Sequence, residues 1–248
     1  MRYVFALMCL IILVAGIGLA YDWIRVPPQW NPFKPLDVRQ PPNFLTRYKL
    51  MRLQHDPELC AQALQTSPLR YAQMPANAGT KQCPLENVVR VQRSNVAFSG
   101  SFLATCPLAT AYALFELHTL QPAAEAVFGQ RVVSVEHFGS FACRNIYHRA
   151  NARRSEHATA NALDLAGFRL ENGQRITVAR DWKGDDSKAR FLHLLREGAC
   201  KSFNTTLSPN YNAAHHDHFH LDMGGLPCVP LSVPIRQRSG KMRALFLD

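Results

Sequence analysis

Two short stretches of the sequence concentrate side chains that can bind a metal ion. In the first, four of the chain's ten histidines lie within six residues: His215, His216, His218 and His220. If the chain is extended from residue 218 to residue 222, the two-residue period of a strand places His218, His220 and Asp222 on one face. The intervening residues are apolar. One face of this segment is therefore rich in ligands, and the other suits a hydrophobic core.

The second stretch reads RRSEHATANALDLAGF and contains His157 and Asp164, seven residues apart. Asp164 lies among apolar residues of a predicted strand, where an unpaired carboxylate is costly to bury. The carboxylate must therefore be ion-paired, hydrogen-bonded or bound to a cation, and the nearby histidine favours the cation.

Imidazole and carboxylate ligands together are typical of Zn²⁺ sites. Three protein ligands and one open position indicate a catalytic zinc site, whereas a structural site requires a fourth protein ligand. Zinc makes a bound water nucleophilic near neutral pH, and a neighbouring base then takes the proton. A structural polar network and a chance surface cluster are the alternatives. The residue types favour Zn²⁺ as the cofactor.

The elements that must position these residues indicate an α+β fold. Thr105 before Pro107 predicts the start of a helix that is broken near Pro122 and continues to Gly129. Strands are predicted over 131–135, 162–170, 175–179 and 219–223. Asn172-Gly173 predicts a hairpin turn between the second and third of them. A further helix, capped by Ser187, is predicted over 188–203. We expect a small antiparallel sheet with flanking helices.

The N-terminus predicts an exported protein. Residues 3–20 form an apolar run without a charge, which is long enough to cross a bilayer. Gly18-Leu19-Ala20 also offers a signal-peptide cleavage pattern, so a retained anchor and a cleaved signal both remain open. Arg2 and the α-amino group favour a cytoplasmic N-terminus, which would place the remainder in the periplasm of a bacterium.

The chain divides into four regions by composition. Residues 1–24 are the anchor or signal, and residues 25–50 are a proline-rich linker, in which six prolines favour an extended spacer. Trp30 and Phe33 in this linker are expected to pack on the domain. Residues 51–234 are the folded domain. Residues 235–248 form a basic tail.

Cysteine usage and net charge agree with an exported, envelope-bound domain. Cys9 lies in the apolar run, and six further cysteines can form three disulfides: Cys60, Cys83, Cys106, Cys143, Cys200 and Cys228. All fifteen pairings remain open, and the wide spacing argues against a cysteine zinc site. The net charge of +10 favours an anionic partner such as a cell-wall polymer. Metal-dependent binding or cleavage of nucleic acid is a third hypothesis, but no nucleic-acid partner is expected, because the charge is dispersed and export would separate the protein from nucleic acid.

Several motifs resemble known families. SEHATANALD, residues 155–164, resembles the SxHxxGxAxD motif of the zinc metallopeptidases that include lysostaphin, the D-Ala-D-Ala metallopeptidases and hedgehog domains, with Ala160 in place of the glycine. HHDHFH resembles the HxxHxH element of penicillin-insensitive murein endopeptidases. The stretch from WNPFKPLD through FACR and the DW at Asp181-Trp182 to YNAAHHDHFHLDMG resembles the bacterial extensin-like C-terminal domain family. This resemblance covers most of the chain outside the anchor.

The resemblance implies a disulfide-stabilised, hedgehog or D-Ala-D-Ala metallopeptidase-like fold and a role for each matching residue. The implied zinc ligands are His157, Asp164 and His220. His218 would be the base. His215 would contact the oxyanion, which requires a turn before His218 because its position has the wrong parity for the strand face.

Further residues are implied around this centre. Ser155 would cap or support the ligand segment, and Asp222 would orient a ligand imidazole. Arg144, in GSFACR, would hold a substrate carboxylate or the developing oxyanion. His137 and Trp182 are candidate cleft residues. Ala160 replaces a glycine and is expected to affect rate more than metal binding.

The implied function is zinc-dependent hydrolysis of amide bonds in peptidoglycan peptides, by an endopeptidase or a carboxypeptidase. The alternative is a catalytically inactive, zinc-containing domain that binds or organises the cell wall. The implied partners are peptidoglycan or another anionic polymer of the envelope, and the membrane through the N-terminal helix.

Overall fold

The structure is a computed structural model and describes residues 1–75, 78–225 and 228. Its helices are α1 (Arg2–Ala20), α2 (Thr46–Leu53), α3 (Pro57–Gln65), α4 (Cys106–Phe115), α5 (Gln121–Phe128), α6 (Val178–Asp181) and α7 (Ser187–Ala199). Its strands are β1 (Arg70–Gln73), β2 (Ala78–Gly79), β3 (Pro84–Leu85), β4 (Val88–Arg93), β5 (Ala97–Phe98), β6 (Phe102–Thr105), β7 (Val132–Gly139), β8 (Ala162–Leu170), β9 (Arg175–Thr177), β10 (Thr205–Leu207) and β11 (Phe219–Asp222). Helices and small, mainly antiparallel sheets are mixed along the chain, so the predicted α+β class is confirmed.

The largest sheet of the described residues contains β8 and β11, the two strands on which Asp164 and His220 lie. Its strand order is β10-β11-β8-β7-β5, and β9 also pairs with β8. All pairs in it are antiparallel except β5 with β7, which is parallel. A three-stranded sheet, β1-β4-β6, and the β2-β3 hairpin lie beside it. Strand β8 is central, because it pairs with β11 and β9 on one side and with β7 on the other.

The hydrophobic core is centred on α4, whose ten residues are all buried. The Thr105 side chain accepts a hydrogen bond from the Leu108 N–H and so caps the helix, as predicted. The predicted break near Pro122 is a π-helical turn, Glu116–Leu120, between α4 and α5. Helix α5 then ends at Gly129, whose φ of 63° is the left-handed conformation that favours glycine.

Strand β8 and its turn agree closely with the sequence, whereas β7 runs four residues beyond its predicted end, and the last two residues of the predicted strand 175–179 belong to helix α6. Strand β8 covers the predicted residues 162–170, and Gly173 takes a φ of 84° in the turn to β9. The hairpin between β8 and β9 is therefore confirmed. Helix α7 differs at its first residue: the Asp186 side chain accepts from the Ala189 N–H, so Asp186 is the N-cap and Ser187 already belongs to the helix. The prediction of Ser187 as the cap was wrong.

Three disulfides join the domain and confirm the predicted oxidised cysteines. Cys60 in α3 pairs with Cys106 at the start of α4. The other two pairs are Cys83–Cys143 and Cys200–Cys228. The sequence left this pairing open, since it depends on which cysteines the fold brings together. Cys9 is unpaired and lies on exposed helix α1.

The predicted anchor and linker are described by the structure, whereas the predicted tail is not. Helix α1 is apolar, is exposed along almost all of its length, and is long enough to cross a membrane. In the range predicted as linker, Val38 is fully buried and α2 begins at Thr46. The predicted basic tail, residues 235–248, lies outside the described residues.

Candidate metal centre

Strand pairing brings the two ligand stretches together. Strand β11 runs antiparallel to β8, and His220 lies directly opposite Asp164 in this register. His157 comes from a 3-10 turn, Glu156–Thr159, which immediately precedes β8. The Ser155 side chain accepts a hydrogen bond from the His157 N–H and caps this turn. A buried turn and a cross-strand pair therefore converge on one point.

The three predicted ligands are in mutual contact. His157 Nε2 lies 3.1 Å from His220 Nδ1 and 3.2 Å from Asp164 Oδ2. His220 Nδ1 lies 3.0 Å from Asp164 Oδ1. A tetrahedral Zn²⁺ with ligand bonds of about 2.0 Å requires ligand atoms about 3.3 Å apart. The three residues thus form an arrangement that can hold a metal ion.

The hydrogen bonds behind the ligands favour a cation at this point. His157 Nδ1 lies 3.2 Å from the Ser140 carbonyl oxygen, and His220 Nε2 lies 3.0 Å from Asp222 Oδ2. Both of those oxygens can only accept, so these two nitrogens carry the ring hydrogens. The facing nitrogens of the neutral rings then present lone pairs to each other and to the Asp164 carboxylate. Such a cluster requires a proton or a metal ion at its centre.

The charges of the cluster follow from this geometry. Burial alone would raise the pKa of Asp164, but its close polar contacts with the His157 and His220 rings outweigh burial and hold that pKa well below its usual range. Burial would lower the pKa of His220, yet the hydrogen bonds and charges of Asp164 and Asp222 raise it to about 9. In the absence of a metal, a proton on His220 satisfies the converging lone pairs.

His218 lies beside the three ligands. Its Nε2 is 3.6 Å from Asp164 Oδ1, and its Nδ1 is 2.8 Å from Asp217 Oδ1. Because the Asp217 carboxylate accepts the Nδ1 hydrogen, Nε2 of the neutral ring keeps a lone pair on the side of the cluster. The exposed ring of Phe138 packs edge-on against His218, with the ring centroids 5.7 Å apart.

His215 reaches the same place through the turn that its sequence position required. The turn is the 3-10 segment Ala213–His215, and the His215 ring centroid lies 5.2 Å from that of His218. His215 Nδ1 lies 2.8 Å from Asn212 Oδ1, which also accepts from the Ala214 N–H. Burial and the neighbouring histidines lower the pKa of His215 to about 4, so the ring is neutral at pH 7.

The supporting residues predicted from the sequence have mixed outcomes. Ser155 and Asp222 both contact a ligand residue, and Asp222 Oδ1 also accepts from the Gly224 N–H at 2.9 Å. Arg144 is half-buried, and its carbonyl accepts from the Ser155 N–H. Among the described residues its guanidinium forms no hydrogen bond to the three ligands.

The two candidate cleft residues do not join the cluster. Trp182 is 4% exposed and packs against Phe219, on the apolar face of β11. It is therefore a core residue. His137 Nε2 bonds the Gly100 carbonyl at 2.8 Å, and its ring packs on Phe102. Among the described residues its ring has no hydrogen bond to the three predicted ligands, because its partners are Gly100, in the loop after β5, and Phe102, at the start of β6.

Several residues of this neighbourhood had no signal in the sequence. Asp217 and Asn212 orient the two neighbouring histidines, and the Ser140 carbonyl fixes His157. Tyr147 accepts a hydrogen bond from Asn212 Nδ2 at 2.9 Å and so links the segment after β7 to His215. Of these residues, only Asp217 had a position in the sequence that could have indicated its role, because it lies between His216 and His218.

Ala160 stands where the resembled motif has a glycine, and its backbone conformation is one that suits glycine. It follows the His157 turn with φ 56° and ψ 33°, the left-handed conformation that glycine adopts without strain. Its side chain is fully buried and packs with Leu85 and Val88. The methyl group gains contacts that partly offset the backbone strain.

Fold and site together define a disulfide-linked α+β domain with a His-Asp-His arrangement that can hold a metal ion. A family model described as the extensin-like protein C-terminus matches residues 58–228, more than half of the chain, and the protein belongs to this family. No curated protein and no solved structure matches the chain.

Proposed function

We propose that the protein is a zinc-dependent hydrolase that cleaves amide bonds in peptidoglycan peptides at the cell envelope. The observation that carries the proposal is the convergence of His157 Nε2, His220 Nδ1 and the Asp164 carboxylate at 3.0 to 3.2 Å. Two imidazoles and one carboxylate are a donor set of catalytic zinc sites, which keep the fourth position for water or substrate. The proposal goes beyond membership of the extensin-like family. It assigns to this protein the chemistry of the zinc metallopeptidases that SEHATANALD and HHDHFH resemble.

The residues around the ligands suit this chemistry. Zinc, when bound, would polarise the scissile carbonyl and lower the pKa of a bound water. His218 is suited to accept a proton, because Asp217 fixes its Nδ1 hydrogen and leaves Nε2 free at the cluster. Asp222 and the Ser140 carbonyl hold the two ligand rings in the required orientation.

His215 fits the implied oxyanion role poorly. Asn212 Oδ1 receives the Nδ1 hydrogen of His215, so the other nitrogen of the neutral ring is an acceptor. An oxyanion requires a donor. We therefore assign His215 to orienting a water molecule as a hydrogen-bond acceptor, and leave the oxyanion to Arg144 or to the metal.

A basic segment beside the centre supports an acidic substrate. Four arginines lie within eleven residues between β7 and the His157 turn: Arg144, Arg149, Arg153 and Arg154. None of them forms an ion pair with another described residue. Unpaired guanidinium groups favour carboxylates, which peptidoglycan peptides carry.

The envelope location is supported mainly by the disulfides. Three cystine bridges are typical of an oxidising compartment, and α1 would anchor the domain on that side of the membrane. The charges that flank α1 give little evidence for its orientation, because basic residues lie on both sides of it: Arg2 before the helix, and Arg25 and Lys34 after it. We propose an inner-membrane anchor with the domain in the periplasm.

Zinc content and turnover together test this function. The full chain, purified in detergent, should bind about one zinc, and His157→Ala or Asp164→Ala should abolish binding. His218→Ala should keep the zinc but lower cleavage of cross-linked muropeptides by roughly 100-fold. His216→Ala is the matched control from the same motif, because its side chain is 71% exposed and should change neither.

Two results would contradict the assignment. A zinc-loaded protein that retains muropeptides without cutting them would instead be the inactive wall-binding domain. Loss of zinc from His218→Ala would make His218 a ligand rather than the base.

A further inference from the structure

Large exposed apolar side chains concentrate in the segment that joins α1 to the domain. Between residues 21 and 51, eight such side chains are each more than 40% exposed: Tyr21, Trp23, Ile24, Trp30, Phe33, Phe44, Tyr48 and Met51. We call these residues the juxtamembrane surface. Tyr21 contacts Trp23, and Trp30 contacts Phe44, with ring centroids 6.0 and 5.7 Å apart. Water-soluble domains seldom expose so many large apolar groups in one short segment, and such exposure indicates a binding partner. The predicted packing of Trp30 and Phe33 on the domain is thus incomplete.

Hydrogen bonds tie this segment to the end of α1. Asn31 Nδ2 donates to the Leu19 carbonyl at 3.0 Å, and the Ile24 N–H donates to the Gly18 carbonyl at 2.9 Å. The Lys34 side chain also forms an ion pair with Asp22. The chain after α1 therefore folds back on the helix end and does not extend away from it.

The same segment is fixed to the domain on its other side. Lys49 Nζ donates to the Pro28 carbonyl and Arg52 Nη1 to the Pro32 carbonyl, each at 2.8 Å. Both donors belong to α2, whose Leu50 is buried in the core. Contacts thus run without a break from α1 to the hydrophobic core, so the domain cannot stand far from the end of α1.

The position and composition of the juxtamembrane surface suit a lipid headgroup region. Helix α1 has 19 residues, a length of about 28 Å, which matches the hydrocarbon core of a bilayer. Trp23 and Tyr21 then lie at the interface, where aromatic belts form. Residues 21–53 contain six Lys or Arg and two Asp, a net charge of +4 that favours anionic lipid.

We propose that the juxtamembrane surface lies in the headgroup region of the bilayer that holds α1, so that the domain is docked on the membrane. The proposal requires α1 to be a retained anchor, and it is independent of the metal centre. Trp30 is the informative residue. It is ten residues beyond α1, and in an extended linker it would stand in water, whereas in a docked domain it contacts lipid.

Tryptophan quenching by brominated lipid tests the proposal, because the chain has three tryptophans: Trp23, Trp30 and Trp182. The full chain is reconstituted in nanodiscs of phosphatidylethanolamine and phosphatidylglycerol, with and without bromine on the upper acyl carbons. Trp23→Phe leaves Trp30 and Trp182, and Trp23→Phe combined with Trp30→Phe leaves the buried Trp182 as the control. The difference between the two variants isolates Trp30.

We expect brominated lipid to remove about half or more of the Trp30 emission, as for a ring at the interface, and to leave Trp182 unchanged. Iodide in the aqueous phase should quench Trp30 less in nanodiscs than in detergent. Equal responses of Trp30 and Trp182 to bromine would overturn the proposal. Protection of Trp30 from iodide without quenching by bromine would also overturn it, since a second copy or another protein would then cover the surface.

Discussion

Asp222 offers the sharpest test of how the fold prepares the candidate metal centre. Its Oδ2 accepts from His220 Nε2 at 3.0 Å, and its Oδ1 accepts from the Gly224 N–H at 2.9 Å. In Asp222→Asn, an NH₂ donor replaces one of the two acceptor oxygens, so either His220 loses its orienting partner or the Gly224 N–H loses its acceptor. Loss of such a partner typically weakens metal binding by 10- to 100-fold, about 1.4 to 2.8 kcal/mol.

A competition titration against a fluorescent zinc chelator measures this loss directly. Asp217→Asn is the matched control, because Asp217 orients His218, which is not one of the three ligands. We expect the Asp217 variant to bind zinc within about twofold of the wild type. Equal affinities for Asp222→Asn and wild type would refute the reasoning, since His220 would then not depend on Asp222 for its orientation.

Two further predictions concern stability. Burial raises the pKa of Glu116, and nearby Ser94 and Tyr112 offset this only in part. Between pH 4.5 and the raised pKa only the folded state holds the proton, so wild-type stability falls as pH rises through this window. Glu116→Gln carries no such proton, so its stability relative to wild type should be greater at pH 8 than at pH 4 in denaturant unfolding; an equal difference at both pH values would contradict this. Ala160→Gly should change the unfolding free energy by less than about 1 kcal/mol, because relief of the left-handed conformation offsets a lost buried methyl. A clear loss in the same assay would show that packing dominates.

Local signals predicted most of the site-bearing elements. Strand β8 has the predicted bounds, and the Asn172-Gly173 turn gives the expected hairpin, because turn chemistry and side-chain alternation act within a few residues. The Thr105 cap was found for the same reason. The cap of α7 was displaced by one residue, since Asp186 and Ser187 are both good caps and only the backbone conformation distinguishes them.

The linker and the minor strands were harder to predict. Prolines between residues 27 and 42 exclude a regular helix, but they do not reveal that Asn31 binds the end of α1 or that Val38 enters the core. Strand β5 has two residues and pairs in parallel with β7. Segments this short carry little periodicity, so their structure depends on partners that are distant in the chain.

The sequence by itself identified the candidate ligand residues and the strands that carry Asp164 and His220, and it predicted the oxidised state of six cysteines. Residue chemistry and the two-residue strand period are local properties, so they can be inferred from the sequence without knowledge of the fold. Only the tertiary structure decided that His220 lies opposite Asp164, that His157 turns its Nε2 toward both, and which cysteines pair. Register between strands 56 residues apart is set by competition among all core contacts at once, and no local pattern encodes that competition.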